Sequence, residues 1–195
     1  GANNNWRWLH SNCQRKLECG MSKITVKELE APTGFDLKIA AGETLDLKSQ
    51  GSVIMPTGSV LQVVNVKYVS TGTHSSSTST WSDTGLEATI TPTSTSSKIL
   101  VNVIHTGCGK QSGNARLMLN LLRGSTVISN FETMAAYDNA SGDNQVGSCS
   151  CSYLDSPSTT SATTYKTQMK TYAAGSVFVG WGSCDAFITL MEVAG

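Results

Sequence analysis

The chain has 195 residues, with Lys+Arg and Asp+Glu at 14 each, so its formal net charge is zero. A neutral chain has no long-range field to gather nucleic acid or an anionic membrane surface. It also has no run of about 18 apolar residues to span a bilayer. A chain of this size buries roughly 70% of its unfolded surface and needs no metal or disulfide to fold. Charged residues are only 14%, against about 25% in ordinary soluble domains. Ser, Thr, Asn and Gly supply the polarity instead, a composition that suits an extracellular or virion surface better than a cytosolic enzyme.

Residues 1–20, GANNNWRWLHSNCQRKLECG, stand apart from the rest. They hold two Trp and a basic cluster, with no apolar stretch of the secretory kind. The pattern changes at Met21, where MSKITVKELEAPTG begins a plain polar–apolar alternation. Two readings remain open: upstream read-through before a start at Met21, or an arm whose Trp6 and Trp8 dock on a partner.

In residues 21–59, glycines at 34, 42, 51 and 58 separate short runs such as FDLKI, ETLDLK and SVIM. Each run offers two or three apolar side chains. At about 25 cal/mol per Å² these cannot offset the roughly 1–2 kcal/mol per residue lost on ordering the backbone. Copies from three chains wrapped about one axis would bury Phe35, Leu37, Ile39, Leu45, Leu47 and Val53 together. That predicts a stalk; the alternative is a meander packed on the chain's own globular part.

From Val60 onward the pattern is period 2, broken by Gly, Pro and Ser/Thr turns, and no long 3.6-residue period occurs. VLQVVNVKYV (60–69) predicts a strand with Val60, Gln62, Val64, Val66 and Tyr68 on one face. STGTHSSSTST is a polar loop. LEATITPT predicts a strand facing Leu86, Ala88 and Ile90 inward, and KILVNVI predicts a central strand, apolar on both faces except at Asn102. NARLMLNLLRGSTVISNFETM predicts a hairpin turning at Arg123-Gly124-Ser125. AAYDNASGDNQVG (135–147) is the most Asn/Asp-rich loop. SCSCSYL, TTYKTQMKTY, GSVFVGW and DAFITLMEVAG complete nine or ten strands. With no helices between them, they predict an antiparallel all-β jelly-roll sandwich over residues 60–195.

Chemistry is sparse. There is no nucleophile-elbow, zincin, phosphate-loop or dinucleotide motif, so the chain is read as no enzyme, with no cofactor and no metal. Alternation places Cys149, Cys151 and Tyr153 on one strand face. Cys108, Cys149, Cys151 and Cys184 read first as small core-filling thiols, with a bridge from Cys149 or Cys151 to Cys108 or Cys184 as the alternative. His105 reads as a strand-end residue. The loop 135–147 is long for a hairpin connection. Its Tyr137, Asp138, Asn139 and Asn144 are the candidate receptor-binding residues: a ring to stack on a sugar, and donors and acceptors for its hydroxyls.

The phrases GETLDLKSQGSVIMPTGSVLQVVNV, DTGLEATITPTSTSSKILVNV, LLRGSTVI, YLDSPSTTSATTYKTQ and ITLMEVAG together resemble marine-phage virion proteins of the tail-fibre or head-fibre kind. That family is similar in turn to the trimeric jelly rolls of the tumour-necrosis-factor and complement-head type. The resemblance covers about residues 40–70 and 83–195, and rests on phrases and their order. It implies a homotrimer on the virion with the N-terminal part as attachment stalk. The partners expected are other virion proteins, through the N-terminal segment, and a bacterial surface glycan. A fibre that mediates host attachment is the leading expectation; a capsid decoration or head-fibre protein without a receptor is the alternative. Neither involves nucleic acid or membrane insertion.

Overall fold

The computed structural model describes residues 55–69, 74–77, 79–111, 113–138, 142–173 and 175–195, together with Ala41. The chain divides into units Gly1–Ser52 and Val53–Gly195, and apart from Ala41 the described residues fall in the second. The proposed stalk positions Phe35, Leu37, Ile39, Leu45, Leu47 and Val53 lie outside the described residues.

Ten strands occur among the described residues: β1 (Val60–Tyr68), β2 (His74–Ser76), β3 (Ser82–Ile90), β4 (Lys98–Lys110), β5 (Leu117–Arg123), β6 (Thr126–Ala135), β7 (Asn144–Asp155), β8 (Thr163–Thr171), β9 (Val177–Val179) and β10 (Ala186–Val193). A 3-10 turn, Trp181–Ser183, precedes β10. The strands form two antiparallel sheets. Sheet I runs β1–β10–β4–β7, with β9 on the far end of β4 and β2 beyond β9; sheet II runs β3–β8–β5–β6.

Setting aside the short β2 and β9, every strand pairs with its counterpart counted from the other end of the unit. β1 pairs with β10, β3 with β8, β4 with β7 and β5 with β6. One long ribbon of paired strands, folded over into two sheets, is the jelly roll that the sequence predicts. Its tip is the β5–β6 hairpin, where Gly124 and Ser125 make a two-residue turn between Arg123 and Thr126. Gly124 takes φ 58°, the left-handed conformation that such a turn needs at its first position.

Alternation decides which side chains face inward. Ile99, Val101, Val103, Ile188 and Leu190 of sheet I meet Leu86, Ala88, Ile90, Leu121 and Tyr165 of sheet II in one apolar cluster. Leu117, Leu119, Met169, Val177, Val179, Cys108 and Cys149 form a second. Val60 departs from the expected face. A bulge between Val60 and Gln62 shifts the register there, which leaves Val60 exposed while Val64, Val66 and Tyr68 pack against the core.

The sequence also ended the fourth strand too soon. β4 continues through His105 to Lys110, changing partner from β10 to β9 along one edge. Gly107 makes the change possible: its φ is 58° and a Cβ there would sit 2.5 Å from the Trp181 amide nitrogen. His105 is therefore a buried mid-strand residue.

Three polar ties cross the sandwich. His105 Nε2 lies 2.9 Å from Thr167 Oγ1, which lies 2.5 Å from Thr84 Oγ1. Asp155, at the end of β7, accepts two bonds from Arg123 Nη1 at 2.8 Å and one from the buried Tyr165 hydroxyl at 2.6 Å. Burial and this hydrogen bond to Asp155 push the Tyr165 phenol above its ordinary range. Glu192 is buried at the end of β10. It accepts from Gln62 Nε2 at 2.6 Å, and from the Thr93 amide and hydroxyl at 2.7 Å each.

Burial alone would raise the Glu192 pKa, but the bonds from Gln62 and Thr93 outweigh it and hold the carboxyl at about 2, down from 4.5. A depressed carboxyl stabilises the fold above its unfolded pKa and loses that contribution as pH falls toward the folded one. Unfolding free energy should therefore drop by about 3 kcal/mol between pH 4.5 and pH 2 through this group. Denaturant titrations across that window would show it, and Glu192→Gln should flatten the dependence.

Candidate interaction surfaces

The connection expected to bind a receptor is shorter than the sequence suggests. β6 ends at Ala135 and β7 begins at Asn144, which already pairs with Lys110 of β4. Within the connection, Asp138 is bonded inward. Its carboxylate meets the Lys110 ammonium and accepts from Asn144 Nδ2 at 2.7 Å. Lys110 is fully buried and also donates to the Gly113 carbonyl at 2.8 Å. Asn144 Nδ2 reaches the Ala136 carbonyl as well, at 3.3 Å. Asp138 and Asn144 thus hold the loop to β4, Tyr137 projects outward, and Asn139 lies outside the described residues.

Nothing in HTGCGKQSGN marks Lys110 as buried, because its partner arrives from 28 residues away. Sequence reasoning also missed Arg116. Its guanidinium carbon lies 3.4 Å from the centroid of the Tyr172 ring and 5.8 Å from that of Tyr137. Beside it, Lys170 Nζ lies 4.7 Å from the centre of the Trp81 ring. The signal was present only as alternation in TTYKTQMKTY, which puts Lys170 and Tyr172 on the face away from the core.

The two outer faces differ in character. On sheet II, Lys166 pairs with Asp83 at 2.8 Å, Gln168 donates to the same carboxylate at 2.7 Å, and Glu87 lies opposite Lys166. That is a charge-laced, water-facing surface. On sheet I the registers bring Val63, Met191, Leu100 and Leu154 into one apolar row across four strands. The next row is Asn65, Thr189, Asn102 and Ser152, and the one after is Lys67, Phe187, Ile104 and Ser150. Val63 is 56% exposed and Leu154 50%. Charge is confined to the ends of this face, at Lys98 and at Lys67, which pairs with Asp185 at 2.7 Å. A shallow groove runs along it between β4 and β7, lined by Asn102, Ile104, Ser150 and Ser152.

Cysteine chemistry stays internal. Cys108, Cys149, Cys151 and Cys184 are free thiols. Cys108 contacts Cys149 and lies 3.4 Å from the His105 carbonyl; the Cys149 contact and burial together push its thiol up. Among the described residues, no cluster of His, Cys, Asp and Glu could hold a metal ion.

No protein-family model matches the chain, and no curated protein matches it. Among solved structures, the infectious bursal disease virus VP2 subviral particle is similar over 68% of this chain, at 12% identity and a TM-score of 0.26. The match covers 41% of the VP2 chain, so this chain spans about two-fifths of that protein.

The Lys110–Asp138 contact gives a direct test of the loop's anchoring. Asp138→Ala leaves a buried ammonium without its carboxylate and should cost about 3 kcal/mol. Lys110→Met removes the charge with its need for a partner and should cost less. Chemical denaturation of the two variants would rank them; the reverse order would mean that the buried charge is solvated by other means.

Proposed function

We propose that this chain is a non-enzymatic virion subunit, a fibre protein that attaches the particle to its host cell and assembles as a homotrimer. The observation that carries the assembly is the contrast between the two outer faces. A four-stranded face whose central rows are apolar or uncharged, with charge only at its ends, beside an equally large face laced with ion pairs, is the surface a second copy covers. Strands about 4.8 Å apart and roughly eight residues long at about 3.4 Å each give a face of roughly 500 Å². That is the order of the roughly 800 Å² per partner that a stable interface buries. Within it the row Val63, Met191, Leu100 and Leu154 supplies the apolar contact, and the Asn/Thr/Ser row beside it supplies hydrogen-bonding groups.

The jelly roll is a common architecture of viral capsid and lectin domains, and fold alone does not assign a role. The resemblance of the sequence phrases to phage fibre proteins supports the virion setting. In this reading residues 1–59 join the subunit to other virion proteins, and the loops at the free end of the sandwich meet a bacterial surface glycan. The second reading is a purely structural decoration or head-fibre protein. It is favoured by the commitment of Asp138 and Asn144 to internal bonds, which leaves Tyr137 as the outward one of the described candidates. Immunogold labelling of particles locates the protein. Blocking adsorption to host cells with an antibody against residues 53–195 separates the two readings: adsorption falls only if the domain attaches.

For the assembly itself, light scattering at micromolar concentration should give three times the chain mass. Val63→Lys combined with Leu154→Lys places charge in the apolar row and should yield monomers with an intact sandwich by circular dichroism. A monomeric wild-type protein refutes the proposed interface.

A further inference from the structure

We infer that the cation–aromatic strip at one end of the sheet II outer face binds an acidic saccharide chain. The inference deepens the attachment reading above and depends on it for its biological setting.

The strip is built by strand register. β8 places Lys170 and then Tyr172 on its outer face, about 7 Å apart along the strand. The pairing of β8 with β5 continues past its last strand residue, where the Tyr172 amide donates to the Arg116 carbonyl at 3.3 Å. This sets Arg116 beside Tyr172, and Trp81, just before β3, lies over Lys170. Met134 and Tyr137, at the end of β6, close the other side, with Arg116 Nη1 directed at the Met134 sulfur. The result is two cation–aromatic pairs, side by side on one surface.

Two features distinguish the strip from an ordinary solvated face. The first is its charge. Lys67, Lys110, Arg123 and Lys166 each have a carboxylate partner. Lys98, Arg116 and Lys170 have none among the described residues; of these, Arg116 and Lys170 lie together against aromatic rings, and the Arg116 Nε is buried without a hydrogen-bond partner. The second is exposure. Tyr172 is 60% exposed and Tyr137 48%, so both rings offer their apolar surface to solvent instead of filling the core.

An aromatic ring beside an unpaired cation fits a sugar unit carrying a carboxylate. The ring takes the apolar face of the pyranose, and the guanidinium or ammonium takes the carboxylate by charge-assisted hydrogen bonds. Two such pairs along β8 suit successive units of a uronic-acid polymer. Single-stranded nucleic acid also combines stacking with cations, but along a positively charged groove that tracks its backbone, whereas here two cations sit singly among aromatic rings. The strip also lies on the sheet opposite the proposed assembly face, so it stays open in the trimer.

The test is affinity electrophoresis and calorimetry of the full chain at physiological salt, with polygalacturonate as probe. Neutral dextran, dextran sulfate and single-stranded DNA serve as comparisons. Polygalacturonate should bind and dextran should not. Arg116→Ala, Tyr172→Ala and Lys170→Gln should each weaken binding at least tenfold, with melting temperature and oligomeric state unchanged; Arg116→Lys should restore only part. The substitutions fall on two elements, the end of β8 and the residue that leads into β5, so a folding defect at one leaves the other to decide. No binding of polygalacturonate overturns the inference, as does equal binding of all polyanions including DNA, or unchanged affinity in the variants. Particle adsorption that an antibody to the domain blocks, while polygalacturonate fails to bind, overturns the strip and leaves host attachment standing. Adsorption indifferent to the antibody, with polygalacturonate bound, removes host attachment and keeps the strip.

Discussion

The nesting of every other strand pair inside the pairing of β1 with β10 is the constraint on which the sandwich depends. Asn65 and Thr189, bonded at 2.7 Å, are 124 residues apart. Closing such a loop costs on the order of 4 kcal/mol in chain entropy before any contact compensates. The jelly roll divides this cost by nesting. β5 and β6 meet across a two-residue turn, β4 and β7 flank them in the chain, β3 and β8 flank those, and β1 and β10 come last. Each pair shortens the effective loop that the next must close. The order is a physical route for the ribbon to zip outward from Gly124, and it makes the first and last strands the closing step. Backbone bonds from Gly58 to Ala194 and from Ala194 to Ser59 extend that closure two residues before β1.

Once the ribbon is folded over, what holds its two sheets together is partly polar. Two apolar clusters supply most of the burial, at about 1.5–3 kcal/mol for each large side chain. Between them runs the His105–Thr167–Thr84 chain, and Asp155 and Glu192 sit at the ends of their strands. Apolar packing tolerates a sheet sliding by a fraction of a residue, whereas these bonds have fixed lengths and directions. They specify how the sheets superpose. The same register then fixes the rows on the outer faces, so the division between an uncharged face and a charged one follows from the interior.

Much of this was legible in the sequence. Strict alternation in TTYKTQMKTY put Tyr165, Thr167 and Met169 on one face, and all three are buried. LEATI placed Leu86, Ala88 and Ile90 correctly, and the β5–β6 turn fell at Gly124-Ser125. What escaped depended on partners distant in the chain. β4 runs on through HTGCGK because β7 and β9 supply partners for a stretch that glycines mark as a turn. Val60 turned outward because a bulge opposite Val193 consumed one residue of the alternation. β2 lay hidden in a Ser/Thr-rich loop because its pairing comes from the three residues of β9. At the candidate surfaces, residue type was informative and destination was not. Asp138 and Asn144 have the right groups for a sugar, yet a buried lysine claims them. Arg116 and Tyr172 meet only through the β5–β8 register, which no local pattern encodes.

The touching thiols of Cys108 and Cys149 have a practical consequence. The strands that carry them, β4 and β7, form the pair just outside the central hairpin. A thiol that is buried and held protonated does not react with alkylating reagents at neutral pH, since the thiolate is the nucleophile. Reaction at Cys108 therefore requires the packing around this part of β4 and β7 to open. The rate at which a reagent modifies it reports how often that packing opens, which can be compared with the global unfolding that heat or denaturant reports.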